Sequence, residues 1–372
     1  MCYFLQPWRE KMFLEKNVKN RRSPFTVFAV LTLAITVLWS GAGITNAQTT
    51  PKRIDDFVGD NRTDYTTLRF TTGGPIRWKL TGNPASAAPN AAFKREFDYG
   101  LTDSDDPVVG DYVGDSKSDP TVYRATNSTF YVGNFPTGTG GITLNRAVVF
   151  GSGATDVPTV QGDYDGDGKT DFALVRVISG NLNWFILSSV NNTMRTTVFG
   201  STAGIPTPNG ATVFPGADFN GDGRDELVYL IRNAAGTLVT YYIGDAVTGA
   251  GVITRGFGNY NTDISFPPAD YTGDGRADFV AIRQTQGDTA VWYIGNSQNT
   301  NVTGTRFGLA DPSFTDLDSP VRGDFDGDGI QDICVWRESN QTFYYRSSLN
   351  GSIGGQKSGD AGDFPLGSYY QY

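Results

Sequence analysis

The residues that could carry out chemistry in this chain are carboxylates grouped in short, glycine-rich phrases. The clearest phrase runs from Asp163 to Asp171 and reads Asp-Tyr-Asp-Gly-Asp-Gly-Lys-Thr-Asp. It offers carboxylates at relative positions one, three, five and nine, a glycine for a sharp turn at six, and a main-chain carbonyl at seven. Such all-oxygen sets suit hard cations, and calcium fits better than magnesium, which retains its water and a strict octahedron. The phrase predicts a calcium site made by Asp163, Asp165, Asp167, the Lys169 carbonyl and Asp171.

The same phrase occurs six times along the chain. Its copies begin at Asp56, Asp111, Asp163, Asp218, Asp270 and Asp324. Aspartate and glycine are also common in ordinary turns, so a single copy would be ambiguous. Six copies in register, with a period of 52 to 55 residues, indicate one structural unit repeated six times.

The six acidic loops differ in their ligand residues. The fourth offers Asp218, Asn220, Asp222, the Arg224 carbonyl and Glu226. The sixth offers Asp324, Asp326, Asp328, the Ile330 carbonyl and Asp332. The fifth offers Asp270, Thr272, Asp274, the Arg276 carbonyl and Asp278. The third, fourth and sixth sets are complete, whereas the threonine oxygen makes the fifth a weaker set.

The first two loops depart from the pattern. Valine replaces the ligand at position three, at Val58 and Val113, and Asn61 and Ser116 replace the turn glycine. Their remaining carboxylates are Asp56, Asp60 and Asp64 in the first loop, and Asp111, Asp115 and Asp119 in the second. We expect these two loops to bind weakly or not at all. The chain is thus predicted to hold three to four well-formed calcium sites, with six as the upper limit.

Composition excludes much other chemistry. Histidine is absent and cysteine occurs twice, which removes the usual zinc ligands, the imidazole base and the Ser-His-Asp and Cys-His nucleophile pairs. Cys2 lies in a predicted leader, so Cys334 has no partner and no intramolecular disulfide is expected after export. We expect bound cations to brace the fold instead.

Each acidic loop is followed by four short segments of β type. The first ends in arginine, at Arg69, Arg124, Arg176, Arg232, Arg283 and Arg337. The second is aromatic, at Trp78, Phe130-Tyr131, Trp184-Phe185, Tyr241-Tyr242, Trp292-Tyr293 and Tyr344-Tyr345. The third closes on an aromatic residue and glycine, as at Phe199-Gly200, and the fourth passes through proline, as at Pro215. These segments predict a four-stranded antiparallel sheet in each repeat, with most of the repeated aromatic residues in the core.

Four short strands cannot bury both faces of a sheet alone, but sheets arranged radially bury them against each other. The sequence therefore predicts an all-β fold, a six-bladed β-propeller of four-stranded antiparallel blades. The tail from Asp363 to Tyr370 matches the segment from Asp105 to Tyr112, so the C-terminal strand is expected to complete the first blade and close the ring. Seven blades would need one more repeat and are the less favoured alternative.

The N-terminal segment has the features of a secretory signal. Six basic and two acidic residues precede an uncharged apolar run from Phe25 to Trp39, and Thr45-Asn46-Ala47 offers a cleavage site. An uncleaved anchor is the alternative, because an apolar run extended to Gly43 reaches about twenty residues. We predict a signal peptide at 1–47, a linker at 48–55 and a propeller at 56–372. The protein is expected to be secreted or on the cell surface and monomeric, with no membrane span after cleavage.

The charge of the chain bears on its partners. The net charge is −9, and removal of the predicted signal peptide lowers it to −13 because that segment carries four net positive charges. An acidic protein is a poor partner for nucleic acid or an anionic membrane.

The acidic loops, each followed by an arginine-ending strand, an aromatic strand and a Phe-Gly turn, resemble the FG-GAP/VCBS repeat family. That family includes the calcium-bearing propeller of integrin α chains and secreted bacterial repeat proteins. The resemblance covers Asp56 to about Tyr370 and implies a secreted or surface calcium-binding propeller. This sequence departs from the family pattern at Val58, at Val113 and at the turn near Gly354-Gly355.

The function favoured by the sequence is a non-enzymatic binding or adhesion module that recognises a glycan or an extracellular protein. Six similar surfaces and abundant aromatic residues suit such recognition. Two alternatives stay open. One is a calcium-dependent polysaccharide-degrading enzyme of the lyase type, in which calcium neutralises a uronate; the other is a structural scaffold. No repeat carries an insertion or an unrepeated polar cluster that would mark one active site, which favours binding over catalysis.

Overall fold

The computed structural model describes residues 54–83, 94–136, 140–202, 211–232, 238–284, 288–310 and 318–369. The predicted signal peptide and most of the predicted linker lie outside these residues, as does Tyr370. Within the described ranges, no helix is long and apolar enough to span a bilayer.

The described strands form six four-stranded antiparallel sheets, which we number as blades one to six. Blade one contains β1 (Tyr65–Phe70), β2 (Pro75–Thr81), β3 (Lys94–Leu101) and β24 (Phe364–Pro365). Blade two contains β4 (Asp105–Pro107), β5 (Thr121–Arg124), β6 (Thr129–Asn134) and β7 (Thr143–Val149). Blade three contains β8 (Asp156–Val157), β9 (Phe172–Ile178), β10 (Asn181–Leu187) and β11 (Met194–Ser201). Blade four contains β12 (Ala211–Ala217), β13 (Glu226–Arg232), β14 (Leu238–Gly244) and β15 (Gly251–Asn259). Blade five contains β16 (Asp263–Ala269), β17 (Asp278–Arg283), β18 (Asp288–Gly295) and β19 (Val302–Ala310). Blade six contains β20 (Asp318–Val321), β21 (Ile333–Arg337), β22 (Thr342–Arg346) and β23 (Ile353–Lys357). Two short 3₁₀ turns lie at Gly153–Thr155 and Leu366–Ser368.

This architecture is the predicted six-bladed β-propeller, and the burial of its strands follows their place in the blade. The second strand of a blade is apolar along most of its length because both of its faces are covered, as in β9, where Phe172 to Val175 are all buried. The third strand alternates, as in β10, where Leu182, Trp184 and Ile186 are buried and their neighbours are not. The apolar core therefore lies between adjacent blades.

The ring is closed by the C-terminal strand, as the sequence predicted. Strand β24 pairs with β1, with Thr67 opposite Pro365 and Leu68 opposite Phe364. Leu366, which follows β24, is fully buried in the core of blade one. The two ends of the propeller domain thus share one sheet.

Repeated aromatic residues fill the core, as expected. The buried members on the third strands are Trp78, Phe130, Trp184, Tyr241, Trp292 and Phe343. In blade six the equivalent of Trp292 is Phe343, which directly precedes the predicted Tyr344-Tyr345 pair on the same strand. Trp336 lies opposite Phe343, just as Ile282 lies opposite Trp292, so the pairing register and not residue type fixes the equivalence.

Glycines with positive φ end the outer strands. They are Gly100, Gly151, Gly200, Gly258, Gly308 and Gly359, with φ between 88° and 114°. The prediction that placed the last Phe-Gly turn near Gly354-Gly355 is wrong, because that turn is Ser358-Gly359. Lys357 lies opposite Thr342 as Val198 lies opposite Asn183, so Ser358 takes the place of Phe199. The Ser358 carbonyl accepts from Trp336 Nε1 at 3.2 Å and the Phe199 carbonyl from Trp184 Nε1 at 2.8 Å, although Trp336 lies on the second strand of its blade and Trp184 on the third.

An aspartate at the start of the next blade fastens five of these turns, all except the one at Gly200. In blade five, Arg283 donates to both carboxylate oxygens of Asp263, at 2.7 and 3.0 Å, and Asn259 N–H donates to the same carboxylate at 2.8 Å. Equivalent ion pairs are Arg69–Asp363, Arg124–Asp105, Arg176–Asp156 and Arg337–Asp318. We call each pair a blade latch, since it ties the outer strand of one blade to the inner two strands of the next.

Blade four differs from the prediction at this position. In blade five the latch arginine, Arg283, lies opposite Asp263, the first residue of the inner strand. In blade four the residue opposite the first residue of the inner strand, Ala211, is Ile231, so Arg232 is not the equivalent of the other arginines. The first segment of this repeat is one residue longer before its arginine. Blade four therefore has an apolar pair where the other blades have a latch.

Candidate metal sites in the acidic loops

The acidic loops lie at one end of the propeller. Loops two to six each join the innermost strand of a blade to its second strand, as the loop from Asp163 to Asp171 joins β8 to β9, and loop one leads into β1. We call this end the loop face, and the opposite end, which carries the glycine turns and the latches, the turn face.

The aspartate at position one organises its loop. In loop three, Oδ1 of Asp163 accepts hydrogen bonds from the N–H groups of Gly166 and Asp167, at 2.8 and 3.1 Å. Its Oδ2 accepts from Gly168 at 2.9 Å. The same pattern occurs at Asp56, Asp111, Asp218, Asp270 and Asp324. All six loops therefore share one shape.

That shape needs positive φ at position six. Gly168 has φ 86°, and in the degenerate loops Asn61 and Ser116 adopt φ 69° and 67°. The left-handed region is costly for residues with a Cβ, although asparagine tolerates it better than most. Loops one and two thus keep the loop geometry although they lack the position-three ligand and the turn glycine.

The carboxylate at position nine joins its loop to the blade. The Asp171 side chain is buried, accepting from Tyr164 N–H and from Ser189 N–H, both at 3.1 Å. Asp332 does the same with Phe325 and Ser348, both at 2.7 Å. These carboxylates therefore point inward, beneath the position-one aspartate.

Loops three and six bring three predicted ligands together. Carboxylate oxygens of Asp163, Asp165 and Asp171 lie within 4.8 Å of one another, as do those of Asp324, Asp326 and Asp332. The position-five residues, Asp167 and Asp328, are not part of these clusters. Each cluster offers the oxygen-rich, anionic site that calcium requires, with Lys169 and Ile330 at position seven of the two loops.

Loops four and five bring fewer acidic groups together. In loop four, Asn220 Nδ2 donates to Glu226 Oε1 at 2.5 Å, and Phe219 N–H donates to Glu226 Oε2 at 2.7 Å. In loop five, Asp278 Oδ1 is buried and has no hydrogen-bond partner within the described part of the chain. A cation is the kind of partner that such an oxygen requires.

Loops one and two have a valine at position three, where the other loops have a ligand residue. Val58 and Val113 pack against the cores of blades one and two. Their N–H groups donate to Asp64 and Asp119, each at 3.1 Å. The position-nine carboxylates of these loops are therefore held by main-chain amides, without a third side-chain ligand.

The buried carboxylates are electrostatically costly. Burial raises the pKa of Asp171, Asp278 and Asp332 to about 7 and that of Glu226 to about 8. Neighbouring carboxylates add to this effect, as Asp165 does for Asp171. The same cause raises the pKa of Asp64 to about 8 and that of Asp119 to about 7. A bound cation would offset these costs by neutralising the cluster.

The loops are also joined to each other, which the sequence did not reveal. The N–H at position eight of each loop donates to the carbonyl of the position-one aspartate in the preceding blade. The six bonds, at 2.7 to 2.8 Å, run from Thr63 to Asp324, Ser118 to Asp56, Thr170 to Asp111, Asp225 to Asp163, Ala277 to Asp218 and Gln331 to Asp270. The acidic loops thus form a closed, hydrogen-bonded ring.

Position seven contributes to this ring through its side chain. Arg224 covers Gly166 of loop three, where an added Cβ would lie 2.8 Å from Arg224 Cγ, and Lys169 Nζ donates to the Val113 carbonyl at 3.3 Å. A basic residue occupies this position in five loops, at Arg62, Lys117, Lys169, Arg224 and Arg276. That recurrence was the available sequence signal, and it marks contacts between neighbouring loops in addition to the predicted carbonyl ligands.

Six four-stranded blades closed by a C-terminal strand, with an acidic loop in each, define a β-propeller built from a single repeat. The family model described as FG-GAP-like repeat matches residues 163–229, 218–281 and 270–335. The protein is therefore an FG-GAP repeat β-propeller. The matched ranges contain loops three to six, and the two valine-containing loops lie outside them.

The chain as a whole is similar in structure to a luciferin-regenerating enzyme, with 9% identity, a TM-score of 0.37, and coverage of 82% of this chain and 90% of that one. It is also similar to the Dos1 propeller, with 9% identity, a TM-score of 0.33, and coverage of 79% and 84%. No curated protein matches it in sequence.

Proposed function

We propose that this propeller binds calcium at its loop face and acts outside the cell as a non-enzymatic binding module for a glycan or an extracellular protein. The observation that carries the proposal is the pair of carboxylate clusters in loops three and six. Secretion is supported by the apolar segment from Phe25 to Trp39 and by the FG-GAP repeat itself, which is typical of extracellular proteins.

Calcium is favoured over other cations by the donor set. The clusters contain oxygen alone, and the chain has no histidine for a transition metal. Calcium also accepts irregular oxygen cages better than magnesium does. We expect loops three and six to bind most tightly, loops four and five less tightly, and loops one and two weakly or not at all.

Bound calcium would act on the whole ring of loops. Each position-one aspartate offers its carboxylate to its own loop and its carbonyl to the next loop, so a cation that fixes one aspartate also fixes a contact between blades. Cys334 is buried and forms no disulfide in the described part of the chain. Calcium therefore supplies the cross-links that disulfides supply in many exported proteins.

The test is a calcium titration by isothermal calorimetry, combined with a glycan array probed with and without chelator. Asp165→Asn removes one charge from the loop-three cluster and should remove one tight site. The matched control is Asp115→Asn in valine-containing loop two, which should leave the tight sites unchanged.

The possible outcomes separate the hypotheses. A wild-type protein that binds no calcium at millimolar concentration refutes the metal part of the proposal. Depolymerisation of an acidic polysaccharide during the array experiment would support a polysaccharide-degrading enzyme in place of a binding module.

A further inference from the structure

A pocket of about 300 Å³ lies on the turn face between blades four and five. Blade four contributes Leu238 and Phe257, and blade five contributes Asp263, Arg283, Tyr293 and Val302. We propose that this pocket binds a single pyranose ring of a glycan. The proposal rests on the glycan-binding part of the proposed function and adds a location to it.

The pocket interrupts the repeat because of one small residue. Ala281 lines it, two residues before the latch arginine on β17. The residues at the same position in the other blades are Thr67, Val122, Leu174, Tyr229 and Val335. All five are larger than alanine, so blade five leaves more room at this position than the side chains of the other blades do.

The polar side of the pocket is formed by the blade latch. Nε and Nη2 of Arg283 are bound to the two oxygens of Asp263, which leaves this pair with no net charge. Nη1 of Arg283 lies 3.5 Å from Tyr293 Oη, and the guanidinium carbon lies 4.8 Å from the centre of the Tyr293 ring. The Tyr293 hydroxyl and Nη1 are therefore hydrogen-bonding groups held in fixed positions.

The other side of the pocket is apolar and open to solvent. Leu238 is 51% exposed and Val302 is 49% exposed, with the ring of Phe257 behind them. Exposed aliphatic side chains beside fixed donors suit a ligand that has hydroxyl groups along its edge and C–H groups on its faces. A pyranose ring has this distribution of groups.

The charge and the volume of the pocket restrict the class of ligand further. A neutral ion pair gives no strong preference for an anion or a cation, which favours a hydroxylated ligand over a peptide or a phosphate. The volume is at the lower end of the range for small-molecule sites, so it suits one ring better than an extended chain. Because the acidic loops lie at the opposite end of the blades, calcium is not expected to contact this ligand.

The first test fills the pocket. Saturation-transfer NMR on the full propeller, with glucose, galactose, N-acetylglucosamine and glucuronate as probes, is expected to show binding of at least one sugar to the wild type. Ala281→Leu introduces the side chain that blade three carries at this position, Leu174, and should weaken that binding at least tenfold. The matched control Val335→Leu, at the same position in blade six, should leave it unchanged.

The second test keeps the pocket open and removes only a hydroxyl. Tyr293→Phe should weaken the sugar about tenfold, the effect of losing one hydrogen bond. Tyr344→Phe, whose arginine stacks in the same way in blade six, should have no effect. This pair keeps the proposal testable even if Ala281→Leu destabilises the fold, which its melting temperature will show.

The results also distinguish this proposal from the proposed function. Absence of sugar binding by the wild type, or binding by Ala281→Leu and Tyr293→Phe that is as tight as that of the wild type, overturns the pocket but leaves calcium binding and protein recognition standing. Sugar binding that is lost in both variants supports the pocket, whatever the calcium titration shows.

Discussion

Closure of the ring depends on a blade latch that differs from the others because one partner comes from the C-terminal tail. Asp363 has a buried carboxylate that accepts from Arg69 Nε at 2.6 Å and from Lys79 Nζ at 2.9 Å. It also accepts from Asp360 N–H at 2.8 Å. Asp363→Ala removes all of these acceptors at once and leaves the paired strands unaltered.

The expected cost follows from burial. Removing one partner of a buried ion pair costs about 3–5 kcal/mol, because the remaining charge stays desolvated. The side chain of Lys79 is only 9% exposed, but Lys79 keeps a second contact with Asp360 at 2.5 Å, so we expect the lower end, about 3 kcal/mol. For a propeller of roughly 320 residues, with an unfolding entropy of about 2.1 cal/mol/K per residue, this lowers Tm by about 4–5 °C.

The assay is thermal unfolding followed by circular dichroism, with limited proteolysis of the C-terminal segment as a second readout. The control is Asp98→Ala in the same blade. Asp98 is paired with Arg77 at the similar distance of 2.8 Å, but both side chains are more than 40% exposed. An exposed pair contributes little, so this variant should melt near the wild type. Equal shifts in the two variants, or an unchanged Tm in Asp363→Ala, would refute the closure argument.

The other predictions concern calcium, pH and one glycine. Two calcium sites, with free calcium at a hundred times Kd, stabilise the folded state by about 5.5 kcal/mol, so chelation should lower Tm by about 8 °C in a chain of this size. Melting curves that coincide with and without chelator would contradict this. The folded-state pKa values of Asp171, Asp278 and Asp332 are raised from 3.8 to about 7, so the folded chelated protein binds more protons than the unfolded chain. The free energy of unfolding of the chelated protein should therefore fall as pH rises from about 4 to 7, whereas that of the calcium-loaded protein should not. Thermal melting of both forms at pH 5 and at pH 7.5 measures this difference. Gly359→Ala should destabilise more than Gly362→Ala in urea unfolding, because both have positive φ but only at Gly359 would the new Cβ lie 2.6 Å from Thr67 Oγ1.

The repeat architecture could be predicted from sequence because the features that define it are periodic. Acidic loops and arginine-ending strands recur in nearly every copy, and the tail from Asp363 supplies the one strand that blade one lacks. Each of these features is visible as residue type at constant spacing, which is why the number of blades and the mode of closure were correct.

The errors occurred where one residue shifts the register. In β13 the latch position is Ile231 and the arginine follows one residue later at Arg232, and a serine in place of phenylalanine hides the turn at Gly359. In blade six the buried aromatic residue is Phe343, one residue before the Tyr344-Tyr345 pair that residue type alone favours. Strand pairing decides these equivalences, and pairing is a property of the main chain that residue type reflects only indirectly.

Two further features of the structure have little or no sequence signal. The ring of loops is held by main-chain N–H groups and carbonyls, which every residue type here provides. The pocket beside Ala281 requires one small residue in blade five, but its walls at Leu238 and Phe257 come from the neighbouring blade. Local sequence shows the small residue and not the space around it.

The joint between blades three and four combines these observations. At its turn face, Ile231 and Ala211 take the place of the latch that other joints have. Aromatic side chains pack against each other close to this pair. Tyr229 packs edge-on against Phe199 at 5.3 Å and stacks on Tyr242 at 4.8 Å. At the loop face of the same joint, Asp225 Oδ2 accepts from Asp163 N–H at 2.7 Å, in addition to the ring hydrogen bond between these two residues. Because Asp163 is also the predicted position-one ligand of loop three, we expect calcium bound in that loop to strengthen the loop-face end of this joint, whereas the turn-face end relies on apolar packing.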